Sequence, residues 1–179
     1  MEIQSRKYII TGGPGSGKST LIKGLRDRGY SCSEEISRRL IVEEVAKDSG
    51  CLPWLDVNCF SIKVLAEMKN AWLRESMSLL TFFDRGIPDI IAYLKVAGLP
   101  VSEEYYKSLI DHPYASKVFL LPPWSDIYVN DPERWQTFEE AVVIHHEIKE
   151  TYLSCGFDLI EVPGLPLPDR VDFVLSGIK

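Results

Sequence analysis

The sequence predicts an α/β fold in which a parallel sheet carries helices on both faces, and three observations support this. Apolar strand-like runs alternate with helix-period patterns from end to end, as repeated βαβ units require. A glycine-rich loop joins the first strand-like run to the first helical one. The 179 residues, 45% hydrophobic with a formal charge of −6, suffice for one full core without metal or disulfide staples. One domain over 1–179 is expected, with a small lid at about 125–140.

The elements follow in order. Lys7-Tyr8-Ile9-Ile10-Thr11 is rich in β-branched and aromatic residues and stops at Gly12-Gly13-Pro14-Gly15, so it reads as the first strand. A helix starts near Lys18, with Leu21, Ile22 and Leu25 as its apolar stripe and Gly29 as its stop. Tyr30 to Glu35 reads as the second strand, and Ile36, Leu40, Ile41 and Val45 mark a helix that can end at Gly50. After the loop Cys51-Leu52-Pro53-Trp54-Leu55, Asp56 can cap a long helix running toward Leu80. Leu79 to Asp84 is an apolar run ending in a carboxylate, a third strand; helices are predicted over Pro88 to Ala97 and Ser102 to Asp111. Val118 to Leu121 makes a fourth strand closed by Pro122-Pro123. Thr137 and Glu140 have capping-box spacing for a helix to Gly156. Phe157 to Val162 is the last strand, and a closing helix can begin at Pro168 with Val171, Val174 and Leu175 inward.

Composition excludes several functions. No apolar run reaches the length of a membrane span, and the first residues lack the pattern of a signal peptide. A cytoplasmic protein with no membrane partner is expected. The acidic balance weighs against a nucleic-acid polymer as partner. Cys32, Cys51, Cys59 and Cys155 form no C-x-x-C pair, so they are expected to be free, mostly buried thiols.

Gly12-Gly13-Pro14-Gly15-Ser16-Gly17-Lys18-Ser19-Thr20 matches G-x-x-x-x-G-K-[ST], placed between a predicted strand and a predicted helix. In such a loop successive backbone N–H groups point at phosphate oxygens and the helix dipole adds to the field. Lys18 would reach the terminal phosphates and the Ser19 hydroxyl would bind Mg²⁺. A nucleoside triphosphate, ATP with Mg²⁺, is therefore the expected ligand. There is no N-K-x-D guanine signal and no L-S-G-G-Q sequence.

Further candidates follow from position along the sheet. Asp84 would emerge at the carboxyl edge beside the glycine-rich loop if its strand neighbours the first, and could hold Mg²⁺ or accept a proton. Arg85 could clamp a phosphate or the acceptor. Glu34 and Glu35 follow the second strand at the same edge, with Arg38 and Arg39 next. Glu35 as a base with Arg38 as a substrate contact competes with a solvated helix start paired as Glu34–Arg38 and Glu35–Arg39. Arg134, between the fourth strand and a long helix, is the candidate for a lid arginine, or else an exposed residue in a capped helix start. Trp54 and Trp124 can stack on a ring or pack. His145, His146 and Glu150 lack the spacing of a metal site.

Together GGPGSGKST, EEISRR at 34–39, FFDRG at 82–86 and NDPERWQTFEEA at 130–141 resemble a family of small predicted ATPases of the AAA-like P-loop type. That group is in turn similar to the nicotinamide riboside kinase, deoxynucleoside kinase and thymidylate kinase folds. The resemblance implies a three-layer P-loop NTPase with a five-stranded parallel sheet in the order 2-3-1-4-5. It also matches Asp84-Arg85 to the kinases' Asp-Arg pair and puts Arg134 in their lid region.

Two functions are weighed. In the first, a kinase moves the γ-phosphate of ATP to a small acceptor such as a nucleoside or nucleotide. Glu35 or Asp84 would be the base, while Lys18, Arg85 and Arg134 would stabilise charge on the transferring oxygens. Arg38, Trp54 and Arg85 would meet the acceptor. In the second, a regulatory module hydrolyses ATP slowly and signals to a protein partner. Either way, Lys18, Arg38, Arg85 and Arg134 are expected to form a basic pole on an acidic molecule.

Overall fold

The computed structural model describes residues 6–75, 80–125 and 137–178. Five strands, β1 (Lys7–Gly12), β2 (Ser31–Cys32), β3 (Thr81–Asp84), β4 (Lys117–Leu121) and β5 (Asp158–Glu161), alternate with seven helices. These are α1 (Lys18–Asp27), α2 (Ile36–Ala46), α3 (Val57–Arg74), α4 (Ile87–Val96), α5 (Glu103–Asp111), α6 (Phe138–Ser154) and α7 (Leu167–Gly177). The sheet order is β2-β3-β1-β4-β5 with every pair parallel. The predicted three-layer fold and strand order therefore hold.

Period-two alternation of the central strands builds two cores. Ile9, Phe83, Val118 and Leu120 join residues of α2, α3, α4 and α6 on one face. Ile10, Phe82, Phe119 and Leu121 pack with α1 and α7 on the other. Register then sets the site: Ile10 lies opposite Asp84 and Gly12 opposite Leu121, so β1 and β3 deliver the glycine-rich loop and Asp84 to one edge.

The caps at Asp56, Ser102 and Thr137 are all made, the last as a full capping box with Glu140. Some boundaries differ. β2 is two residues long, continued only by the Ser33 N–H donating to the Phe82 carbonyl, as suits an edge strand. α3 ends at Arg74, short of Leu80. In α2, Val45 is exposed and Glu44 takes the buried position. At about 100° per residue, Glu44 falls between Leu40 and Ile41 on the helix while Val45 lies beyond them.

The cysteine expectation is corrected. Cys51 and Cys59 form a disulfide, and Cys32 and Cys155 are free and half-buried. The α2–α3 turn brings the bridged pair to 5.4 Å between Cα atoms, within disulfide reach. Spacing arguments missed the bridge because the pairing depends on the loop after α2 folding back onto the first turn of α3. Among the described residues, no helix is long and apolar enough to cross a membrane.

Glu44 ties α2 to α3 by accepting from Lys63 Nζ at 2.6 Å, Ser49 Oγ at 2.5 Å and Lys47 Nζ at 3.3 Å. The Lys63 and Ser49 hydrogen bonds hold its carboxyl at about 2, so its contribution is full above the ordinary 4.5 and is lost as pH falls from there toward 2. Urea unfolding should show Glu44→Gln destabilised relative to the parent at neutral pH, with the gap closing as the medium is acidified through that window. A gap that does not change with pH would refute the assignment.

Candidate functional site

The site is assembled where β1 turns into α1. Gly17 caps α1 in the left-handed region (φ 80°), and Gly15 adopts φ 73° just before it. L-residues with a side chain adopt this region at a cost, so glycine is needed for the turn. No side chain caps α1, so its first amides are left to a ligand. Ser16 Oγ is buried without a partner in the same loop.

Lys18 is buried and its ammonium donates to Asp84 Oδ1, with Glu35 Oε1 at 3.8 Å. Ser19 Oγ donates to Glu35 Oε2 at 3.2 Å, and Arg38 Nε lies 3.6 Å from the same oxygen. Burial would raise the Glu35 carboxyl, but Lys18, Arg85, Arg38 and the Ser19 hydroxyl together hold it below its ordinary value of 4.5. Asp84 is fixed in turn by its own N–H, which donates to Ser33 Oγ at 2.9 Å. At the start of α2 Glu35 pairs with Arg38 and Glu34 with Arg39, the second at 3.2 Å, and Arg39 also pairs with Glu43 at 2.6 Å and with Glu67 at 2.5 Å.

Arg85 takes a left-handed backbone (φ 70°) at the end of β3, uncommon for a residue with a side chain. Its N–H donates to the Ile10 carbonyl at 3.0 Å, and Nη1 donates to Asp89 Oδ1 at 3.0 Å, with the guanidinium 5.6 Å over the Tyr93 ring. Asp89 was not foreseen, although its place in the first turn of α4, four residues after Arg85, was the available signal. It is 2% exposed and accepts four hydrogen bonds. Thr11 Oγ1 (2.5 Å) and Arg85 donate to Oδ1; the Gly86 N–H (2.9 Å) and Tyr152 Oη (2.6 Å) donate to Oδ2. Gly86 itself is required, since a Cβ there would collide with the Ile9 Cδ1 methyl.

A cavity of about 490 Å³ opens from this cluster. Gly13 to Ser19 line one end, Glu35, Arg38, Arg85 and Asp89 the middle, and Ile41, Val57, Phe60, Val64, Met68, Ile90 and Tyr93 an apolar wall. That wall is scattered over α2, α3 and α4 and carries no motif. Of the sequence candidates, Gly13 to Ser19, Glu35, Arg38 and Arg85 line one space, and Asp84 joins it through Lys18. Gly12 precedes it at the end of β1, and Thr20 lines a neighbouring cavity of about 300 Å³ with Gly15, Gly17, Ser19, Trp124, Leu165 to Leu167 and Arg170. Trp54 is exposed and absent from both linings; Pro53 and Val57 on either side of it face the large cavity instead. Arg134 and most of the 125–140 lid lie outside the described residues.

A family model described as an AAA domain matches residues 7–170. A Thermoplasma volcanium protein named "Putative adenylate kinase" is 44% identical over 134 residues, covering 63% of this chain and 81% of that protein. Deoxyadenosine kinase from M. mycoides, solved with dCMP and dCDP, superposes with a TM-score of 0.68 at 17% identity, over 96% of this chain and 98% of that one. NadR in complex with NR gives a TM-score of 0.72 at 19% identity, with 98% of this chain spanning about half (51%) of NadR. The two solved structures show that the fold is shared.

Asp89→Asn leaves the half-buried Arg85 guanidinium without its charge partner and turns one buried acceptor into a donor facing other donors. Breaking a buried pair in this way costs about 3 kcal/mol or more. Chemical denaturation should show that loss, whereas Tyr152→Phe, which removes one hydrogen bond, should cost about 1 kcal/mol.

Proposed function

Since this chain belongs to the AAA domain family, we propose that it is an ATP-dependent phosphotransferase that carries the γ-phosphate to a hydroxyl-bearing small molecule. One observation carries this reading: a single cavity runs from the glycine-rich loop, past Glu35 and Arg85, to an apolar wall that can hold an acceptor. The names of the 44% identical relative and of the structural neighbours, an adenylate kinase and nucleoside kinases among them, support an acceptor of nucleoside or nucleotide type.

In this reading the amides of Gly13 to Ser19 cradle the phosphates and Lys18 leaves Asp84 to meet the terminal ones. Glu35 accepts the acceptor's hydroxyl proton, and its lowered pKa keeps it ionised at neutral pH. Arg85, held by Asp89, stabilises charge on the transferring oxygens. The donor's base is assigned to the smaller cavity, where the Arg170 guanidinium lies 5.4 Å over the Trp124 ring and its Nε is buried without a partner. Ser19 Oγ and Asp84 supply oxygen donors that suit Mg²⁺, a hard ion usually held by one or two carboxylates together with phosphates, which leaves Glu35 to act as the base. When bound, the ion would neutralise charge between the β- and γ-phosphates. Arg134 would act from the lid.

Calorimetric titration with a nonhydrolysable ATP analogue should show binding that Lys18→Ala abolishes; unchanged binding in that variant would sink the assignment of the loop. With γ-labelled ATP and a panel of hydroxyl acceptors, labelled product supports the kinase. Phosphate release unaffected by any acceptor would favour the regulatory ATPase. For the reaction found, Glu35→Gln should lower kcat by about a hundredfold or more. The acid limb of the parent's pH–rate profile should lie below 4.5, in the direction of the Glu35 shift.

A further inference from the structure

Among the described residues, the members of the basic pole expected at this site are neutralised by their own neighbours. Three cationic side chains line the large cavity, Lys18, Arg38 and Arg85. Lys18 is paired with Asp84 and Glu35, Arg38 with Glu35, and Arg85 with Asp89. Glu139 and Glu140, at the start of α6, line the same space. Among the described residues, carboxylates therefore outnumber cations around the cavity, and the acceptor's half beyond Arg85 is apolar.

Binding of the donor frees some of this charge, since phosphates and Mg²⁺ draw Lys18 and Asp84 to themselves. The acceptor's half gains nothing from that exchange. There a phosphate dianion would meet Arg85, whose charge already serves Asp89 and the transferring γ-phosphate, and Arg38, which shares Glu35 with Lys18. Claiming either cation outright would strip a carboxylate of its partner, and leaving both in place would set the dianion among like charges. Arg85 keeps donors beyond Nη1 that a neutral hydroxyl can use without that cost.

Resting on the phosphotransfer reading, we infer that the acceptor is a hydroxyl-bearing ring compound with no anionic group, a nucleoside in preference to a nucleoside monophosphate. Phe60 and Tyr93 give the apolar wall flat surfaces for its ring. In the reaction the acceptor oxygen bonds to the γ-phosphorus, the bond from that phosphorus to the β,γ-bridging oxygen breaks, ADP leaves, and the hydroxyl proton passes to Glu35.

The full chain, γ-labelled ATP and Mg²⁺ are incubated with matched pairs of nucleosides and their 5′-monophosphates, and kcat/KM is compared within each pair. Label should enter the nucleosides, with the monophosphates poorer by about a hundredfold. Raising the salt should lower KM for the monophosphates by screening the repulsion and leave KM for the nucleosides unchanged. Diphosphate formed from a monophosphate as efficiently as monophosphate from its nucleoside would overturn this inference and leave phosphotransfer standing. Label released only as phosphate, with neither class of acceptor modified, would overturn both.

Discussion

One buried carboxylate joins the parts on which the site depends. Asp89 fills its acceptor positions with Thr11 of β1, Arg85 and Gly86 of the turn after β3, and Tyr152 of α6. A charge at 2% exposure is tolerated only when it is paired and fully hydrogen-bonded, and each donor reaches it from a different direction. The strand that leads into the glycine-rich loop, the strained Arg85 and the helix after the lid region are thereby held in fixed relation. Because no acceptor capacity remains on Asp89, its effect on chemistry passes through Arg85, which makes it a positioning residue.

The second organising feature is that Lys18 is shared between two carboxylates from neighbouring strand ends. Asp84 arrives through the β1–β3 register, with Ile10 opposite it, and Glu35 arrives as the residue before α2. The pairing holds the ammonium in place before any phosphate is bound. It also concentrates oxygen atoms beside the Ser19 hydroxyl, the composition a hard cation selects.

The fold was legible because its signals are local and repeated. Strand-like runs, glycine stops and the caps at Asp56 and Thr137 each specify a few residues, and the strand order came from the family resemblance. The glycine-rich loop was legible because its chemistry is written in consecutive residues. Asp89 was harder: an Asp inside an apolar helix reads as a solvent-facing residue until the sheet puts Thr11 and Tyr152 beside it. The apolar wall was illegible for the same reason, since Ile41, Phe60, Met68 and Tyr93 belong to three helices and look like ordinary core. Trp54 misled because an aromatic in a loop draws attention, while its smaller neighbours Pro53 and Val57 are the ones turned inward. Glu44 and Val45 exchanged places because burial followed ion pairing with Lys63 ahead of hydropathy.

The Cys51–Cys59 bridge has a bearing on the wall it borders. Pro53 and Val57 lie within the loop it closes, Phe60 follows it directly, and all three line the large cavity. A crosslink between the loop after α2 and the first turn of α3 limits how far that side of the cavity can spread. An entering ring therefore meets a surface ordered in advance, and less of its contact energy is spent in immobilising the chain. The same restraint narrows the choice of guest. A wall restrained on one side selects more by shape, so oxidation state becomes part of the site's selectivity as well as of its stability.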